Sequence, residues 1–558
     1  MLFASFDFLL FVVPVLLAYW GLATRPRARW IVLLVASYFF YCASSRPVSG
    51  ALPTRFTYVG LLAWSSVVDY ICARVIAALP KGSFAKNLML GISLCTNLGL
   101  LCYFKYVGFL LDAVHDVAHA LHLELALPTL KLALPIGISF YTFQSLSYTI
   151  DVWRGRLEPE RNFLRFSVFI AFFPQLVAGP IVRAADFLPQ LRQRLSVTVE
   201  DVNFAAYRVS KGLLKKVLLG DYIAANFTDL VFSTPEQYSS LENLLALYAF
   251  TLQIYADFSG YSDIAIGIAR LLGFRLNENF DRPYQAQHIG DFWRRWHMTL
   301  STWLRDYLFF PLGGSRGTPA RTYFNLWLTM FLVGMWHGAS WNFVVYGNLQ
   351  AAAMLYNRFL RTRPKDNLQL PALLGVSVGI GLLAVLLAAS ALSLGTSSAL
   401  WFGFGAFLVA ALNGLLPETT AWAPVHVLLM FNFASLSRVF FRADNLEIAG
   451  KIGGKLVHWD GLGVRSGLFR MQGLYDWVGS AMPPTLQNGG LWVAQWGVLL
   501  LIALGLAHHM TPARWTENLL TRSFRALPAP ALGLVLSAIC LLVSQLLAGP
   551  RPNIYFSF

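Results

Sequence analysis

The sequence predicts an all-α integral membrane protein, and three observations carry that reading. Hydrophobic residues make up 56% of the 558 and charged residues only 13%, about half of the ~25% usual in a soluble domain. That is too little charge to cover a water-facing surface. Apolar runs of about 20 residues, the length that crosses a hydrocarbon core, recur from one end to the other. Aromatic residues reach 15%, with 17 Trp, and Trp and Tyr collect at membrane interfaces. The formal net charge of +15 then reads as Lys and Arg gathered in cytoplasmic loops. No basic and aromatic run is long enough to grip a nucleic-acid strand. Cys42, Cys72, Cys95, Cys102 and Cys540 all lie in apolar segments with no C-x-x-C pair, which argues against a disulfide framework or a structural zinc site.

Spans are predicted to start near Phe6, Trp30, Phe56, Leu88, Leu130, Val217, Leu244, Thr322, Leu373, Leu400, Trp422, Leu491 and Ala531, which makes about 11–13 transmembrane helices. The first run, MLFASFDFLLFVVPVLLAYWGL, has no basic stretch before it and a basic cluster after it. It reads as an uncleaved span that starts outside and ends in the cytoplasm. RPRAR (Arg25–Arg29), the Lys81–Lys86 region and RGRLEPERNFLR (Arg154–Arg165) fall on the cytoplasmic side, with Arg46 and Arg55 as exceptions outside. No period repeats and no soluble linker interrupts the pattern, so residues 1–558 read as one polytopic domain.

Two segments break the simple pattern. FSVFIAFFPQLVAGPIV (Phe166–Val182) is apolar, but basic stretches flank both ends and Pro174, Gly179 and Pro180 interrupt it. It is expected to enter the membrane and return, beside a cavity or protein groups that satisfy its irregular backbone. From Asp291 to Phe310 the pattern is that of one helix, with Phe292, Trp296, Trp303 and Tyr307 on one face, His297 and Ser301 on another, and Asp291 placed to pair with Arg295.

Among residues that could carry chemistry, His337 in FLVGMWHGASW (Phe331–Trp341) comes first. An ionisable group inside an apolar run is a functional candidate by default. Gly334 and Gly338 flank it, Trp336 and Trp341 could wall a pocket, and neutral imidazole suits a general base. A histidine satisfied by a backbone carbonyl or hydroxyl fits the same residue. His297 is the second candidate, or else an interfacial histidine. YADFSGYSD places Asp257 and Asp263 in an apolar helix, either as cavity lining or as a helix-to-helix clasp, with Gly260 allowing close packing. YRVSKGLLKK puts Arg208, Lys211 and Lys215 on one face, beside Lys216. They could seat a phosphorylated acyl donor or simply mark the cytoplasmic side. His115, His119 and His122 have the spacing of metal ligands, but a short outer connector explains them, and no metal site is expected. His508 and His509 read as interfacial. No Walker loop, H-E-x-x-H or G-x-S-x-G is present.

LPIGISFYTFQSLSYTIDVWRG, FFPQLVAGPIVR, GLLKKVLLGDYIA, NFDRPYQAQHIGDFWRRWHMTLSTWLRDYLFFPLGG, GMWHGASWNFVVYG, FFRADNLEIA and the final NIYFSF resemble the membrane-bound O-acyltransferase family. The likeness is closest to its bacterial alginate O-acetyltransferase branch. It covers about residues 1–365 and 425–558. Residues 368–421 align with no motif and read as a divergent helical insertion. The resemblance implies a ring of tilted helices with re-entrant elements around a central funnel or tunnel. It implies His337 as the base and His297 as the second motif histidine; the residues themselves add Asp257, Asp263, Trp336, Trp341, Arg295 and Lys215 as candidates to line the cavity or the donor site. It further implies no bound cofactor, acetyl-CoA as the acyl donor, and a bacterial inner-membrane location. A periplasmic acetyltransferase partner and polysaccharide synthesis and export machinery would complete the system, with alginate, acetylated cellulose, another exopolysaccharide or peptidoglycan as the polymer. On the residues alone, a carrier or flippase of the export machinery, or a scaffold, fits the polar membrane groups as well, although no interrupted helices are paired in two matching halves.

Overall fold

The computed structural model describes residues 3–45, 55–124, 128, 130, 132–193, 196–362 and 397–546, and among them every regular element is helical. The expected span near Leu373 and the terminal NIYFSF lie outside the described residues. So does most of the predicted insertion, of which the helix Ser397–Leu415 is described. Four described helices are long and apolar enough to cross a membrane alone: Thr57–Ala78, Phe84–Lys105, Ser398–Leu415 and Thr420–Arg442. Pro484–Gln495 and Gly497–Met510 form a pair bent by 68°. Other long helices carry polar groups that are buried within the protein. The 32-residue helix Ser240–Leu271 is buried along most of its length, Asp257 and Asp263 included. The run expected to start a span near Leu130 becomes helical only at Ile138.

Buried polar contacts, rather than apolar area alone, fix which helices meet. Asp69 is fully buried. It accepts hydrogen bonds from Asn97 Nδ2 at 2.9 and 3.0 Å, from the Ser93 hydroxyl at 2.5 Å and from the Ser145 hydroxyl. These residues come from three helices, so one carboxylate ties them together. The helices Val199–Leu214 and Ser240–Leu271 each begin with a capping box, Thr198 with Asp201 and Ser239 with Glu242, which satisfies backbone donors left open at a helix start. The two helices cross at Gly212 and Gly260. A Cβ on Gly260 would lie 2.8 Å from the Gly212 carbonyl, so the close packing expected of Gly260 is obligatory. Past the crossing, Lys215–Tyr222 and Ala224–Thr228 are π-helical. That widening is common at functional sites and here accompanies the turn of Lys215 and Lys216 toward Asp263 and Asp257.

The segment expected to be re-entrant is broken and wholly buried. Phe163–Ala171 is helical, Phe173–Leu176 is a single turn, and residues 177–183 are irregular. Its backbone finds protein partners. The Phe173 N–H donates to Ser37 Oγ at 3.1 Å, Gln175 Nε2 donates to the Phe169 carbonyl at 3.2 Å, and the Ile181 N–H donates to Thr299 Oγ1 at 3.0 Å.

The expected single helix over residues 291–310 is corrected to two. Ile289–Arg295 ends at Trp296, and Met298–Leu304 starts after His297, which takes the left-handed conformation at φ 44, ψ 55. Periodicity continues through the break, so the pattern alone conceals it. A tertiary pairing imposes it: the Asp281 N–H donates to the Arg295 carbonyl and the Met298 N–H to the Asn279 carbonyl, each at 2.9 Å. The predicted Asp291–Arg295 pair forms at 3.1 Å.

Candidate active site

His337 is the last residue of the helix Pro319–His337 and is 3% exposed. This helix crosses Trp341–Arg361 at bare backbone: a Cβ on Gly334 would lie 2.4 Å from Gly347 Cα. The imidazole packs edge-on to Phe441 at 5.2 Å and to the Trp336 indole at 5.1 Å. It also faces a small cavity of about 40 Å³, shared with Lys105, Phe140, Val177 and Trp336.

His297 is fully buried, not on an outward polar stripe as its sequence position suggested. The break at φ 44 turns its ring inward, and a non-glycine residue there typically costs about 1–3 kcal/mol, strain that tends to collect at functional sites. Asn279 Oδ1 lies 3.1 Å from His297 Nδ1 and also accepts from the Thr299 N–H at 3.3 Å and the Thr299 hydroxyl at 2.8 Å. An amide oxygen used this way only accepts, so Nδ1 carries the proton and Nε2 holds the lone pair. Among the described residues Nε2 has no hydrogen-bond partner. Thr299 is held in turn by the Ile181 N–H, so the broken apolar segment orients the histidine. The His297 ring lies 4.7 Å from Phe258, 6.2 Å from Phe140 and 5.6 Å from Trp336. Trp336 therefore touches both histidines.

On the other side of Asn279 opens a cavity of about 400 Å³, lined by Arg208, Lys211, Lys215, Tyr255, Asp263, Asn279 and Arg282 among others. That size falls in the range of small-molecule sites. Asp263 pairs with Arg208 at 2.6 Å and Lys215 at 2.8 Å, and Arg208 also pairs with Glu278 at 2.8 Å. Asp263 and Lys215 are thus both clasp and lining. Asp257 is clasp only, paired with Lys216, which also holds Asp221 at 2.8 Å.

Three expected positions are corrected. Trp341 does not wall the His337 pocket: it packs on Phe109 at 5.6 Å and donates to Asp116 at 3.2 Å, because the turn at residues 338–340 sends the next helix off on a new axis. Arg295 does not line the large cavity but pairs with Asp291 and Asp281 at its edge. His509 is buried rather than interfacial, with its ring 4.4 Å from Tyr255 and Nε2 accepting from the Tyr284 N–H at 3.2 Å. His115 and His119 are exposed on the helix Val107–Ala120, and His122 lies beyond its end. Among the described residues no group of three His, Cys, Asp or Glu could hold a metal. Sequence reasoning passed over Asn279, Lys105 and Arg438. Arg438 is a buried guanidinium 4.8 Å from the Trp296 ring. Lys105, a lone cation ending an apolar run, and Asn279, a polar residue just before the histidine motif, were the available signals.

A sequence model of the membrane-bound O-acyltransferase family matches residues 159–376. A probable alginate O-acetylase of Azotobacter vinelandii is 40% identical over 361 residues, which cover 65% of this chain and 69% of that protein. The chain belongs to the membrane-bound O-acyltransferase family. A probable alginate O-acetylase of Pseudomonas aeruginosa is 40% identical over 62% of this chain and 64% of its own length. The peptidoglycan O-acetyltransferase of Helicobacter pylori is 31% identical over 77% of this chain and 74% of its own length. This O-acyltransferase is accordingly a multi-pass membrane enzyme. Both histidines, Asn279 and the broken segment Phe166–Val182 fall inside the matched span, as do Arg208, Lys211 and Lys215.

Proposed function

We propose that the protein is an O-acetyltransferase of the bacterial inner membrane, built as one polytopic domain, with His337 as general base. The observation that carries this is the contact of two buried histidines, 40 positions apart in sequence, with one indole ring. A basic cavity lies beyond one of them and a small pocket beside the other. The acyl donor, a thioester and most simply acetyl-CoA, enters from the cytoplasm, where Arg208, Lys211, Lys215 and Arg282 meet its phosphates. His337 takes the proton of an acceptor hydroxyl, and the oxygen attacks the thioester carbonyl. The carbon–sulfur bond breaks, and the thiolate leaves with the proton. His297, fixed by Asn279, offers its Nε2 lone pair to the donor, to the acceptor or to a proton in transit. The names of the relatives support a polysaccharide such as alginate or peptidoglycan as the final acceptor. In this reading the acetyl group reaches its hydroxyls through a periplasmic acyltransferase partner.

General-base assistance is worth about 10²–10⁴ in rate. His337→Ala is expected to reduce release of coenzyme A from radiolabelled acetyl-CoA by that factor in purified protein, while the variant still accumulates in the membrane. Near-normal release by His337→Ala removes the base assignment. A wild-type protein that moves label without ever freeing coenzyme A removes the enzyme reading.

A further inference from the structure

The Lys105 ammonium is the least explained charge near the proposed base. Lys105 ends the apolar helix Phe84–Lys105 and is half-buried. Its Nζ donates to the Trp336 carbonyl and lies 5.9 Å from the Trp336 ring. Among the described residues no carboxylate lies within ion-pair distance of it. An ammonium has three donors, and Lys105 closes an apolar helix with no counter-charge beside it among the described residues. Lys105 also lines the cavity that His337 lines. The helix Ile138–Trp153 starts at the same cavity, with no side chain capping its first N–H groups, so its dipole adds positive potential there.

The volume decides what such a site can take. At roughly 10–15 Å³ for each water-sized group, the cavity of about 40 Å³ admits about three heavy atoms. An acetyl group has three, and a sugar ring or a uronate does not fit.

The geometry points to this pocket as the seat of the acetyl group during transfer, with Lys105 Nζ as the donor that stabilises the oxyanion. The inference rests on the acyl-transfer reading above. The acceptor oxygen bonds to the carbonyl carbon as its proton passes to His337. The carbonyl electron pair moves onto oxygen, where Lys105 meets the new negative charge. On collapse that pair re-forms the carbonyl, the carbon–sulfur bond breaks, and the thiolate receives the proton from His337. Lys105 is then a catalytic residue and more than a cap on the carbonyl end of the His337 helix.

The test is Lys105→Met, which keeps the length and apolar stem and removes the charge, with Lys105→Arg as the conservative partner. The probe is acetonyl-CoA, a ketone analogue in which a methylene inserted between the sulfur and the carbonyl carbon removes the scissile thioester bond. Its binding counts correctly folded sites and sets the rate per site. Loss of an oxyanion donor costs about 10²–10³ in kcat. Lys105→Met is expected to bind the analogue with unchanged stoichiometry and affinity, to hold its melting temperature, and to lose that factor in coenzyme A release per site. Lys105→Arg is expected to recover most of it. Wild-type turnover per site by Lys105→Met overturns the inference, as does a loss that merely follows reduced analogue binding or melting temperature. His337→Ala, run in parallel, judges the base separately: an inactive His337→Ala beside a fully active Lys105→Met rejects the role of Lys105 and leaves the base in place.

Discussion

Gly334→Ala tests whether the crossing of two helices sets the position of the proposed base. The added Cβ would lie 2.4 Å from Gly347 Cα, 2.8 Å from Gly347 N and 2.9 Å from the Phe343 carbonyl oxygen. All three neighbours are backbone, so no side chain can swing aside. Ordinary contact begins at 3.4 Å, and the helices Pro319–His337 and Trp341–Arg361 must therefore part by about 1 Å. Overpacking of this kind costs about 1–3 kcal/mol. His337 lies three residues further along the same helix, and a misplacement of about 1 Å can cost about 10²-fold in rate. The assay is coenzyme A release from acetyl-CoA by purified protein, with thermal melting in the same detergent. Gly91→Ala is the control, because nothing lies within 4 Å of a Cβ there. In a helix interior that change is expected to stabilise by about 0.5–1 kcal/mol and to leave the rate alone. A Gly334→Ala protein with the wild-type melting temperature and rate would refute the argument that this contact places the histidine.

Two further predictions concern charge, beside those for His337 and Lys105. Burial works against the charge on Glu160, but the Asn162 N–H and the Arg192 and Arg165 guanidiniums outweigh it and hold the carboxyl below the usual carboxylate range. A depressed folded-state pKa gives stability that is full above the unfolded value of about 4.3 and lost as pH falls through the folded value. Arg192 is 48% exposed, so Glu160→Gln is expected to cost about 1–3 kcal/mol at pH 7, less than a wholly buried pair. The gap between variant and wild type in thermal melting is expected to narrow below about pH 4, and an equal gap at pH 7 and in acid would contradict it. Lys211→Ala, on the wall of the large cavity, is expected to raise KM for acetyl-CoA about fivefold, the ~1 kcal/mol of one water-screened charge contact, with kcat unchanged. The effect is expected to fade in high salt, and a change confined to kcat would argue against donor binding there.

Composition and the spacing of apolar runs determined by themselves that this chain is a helical membrane protein, because the bilayer leaves a spanning chain few backbone solutions. The motifs around His297 and His337 were legible for the same chemical reason: a histidine, glycines and tryptophans in an apolar run serve poorly as lipid-facing surface. The prolines and glycines of Phe166–Val182 likewise announced broken backbone where an unbroken helix would have been simpler. What tertiary structure alone decided is where those groups point. The turn at His297 leaves helical periodicity intact on both sides and exists because Asn279 and Asp281 pair with Met298 and Arg295 across it. Without that pairing His297 would lie on the polar stripe with Ser301. Trp341 is four residues from His337 in sequence, yet the new helix axis carries it to Asp116. Lys105 reaches the His337 pocket from more than 200 positions away, a proximity that no local pattern encodes. Local sequence governs hydrogen bonding and polarity along one helix, whereas a site assembled from several helices depends on their crossings, and here bare glycine contacts and buried ion pairs set those crossings.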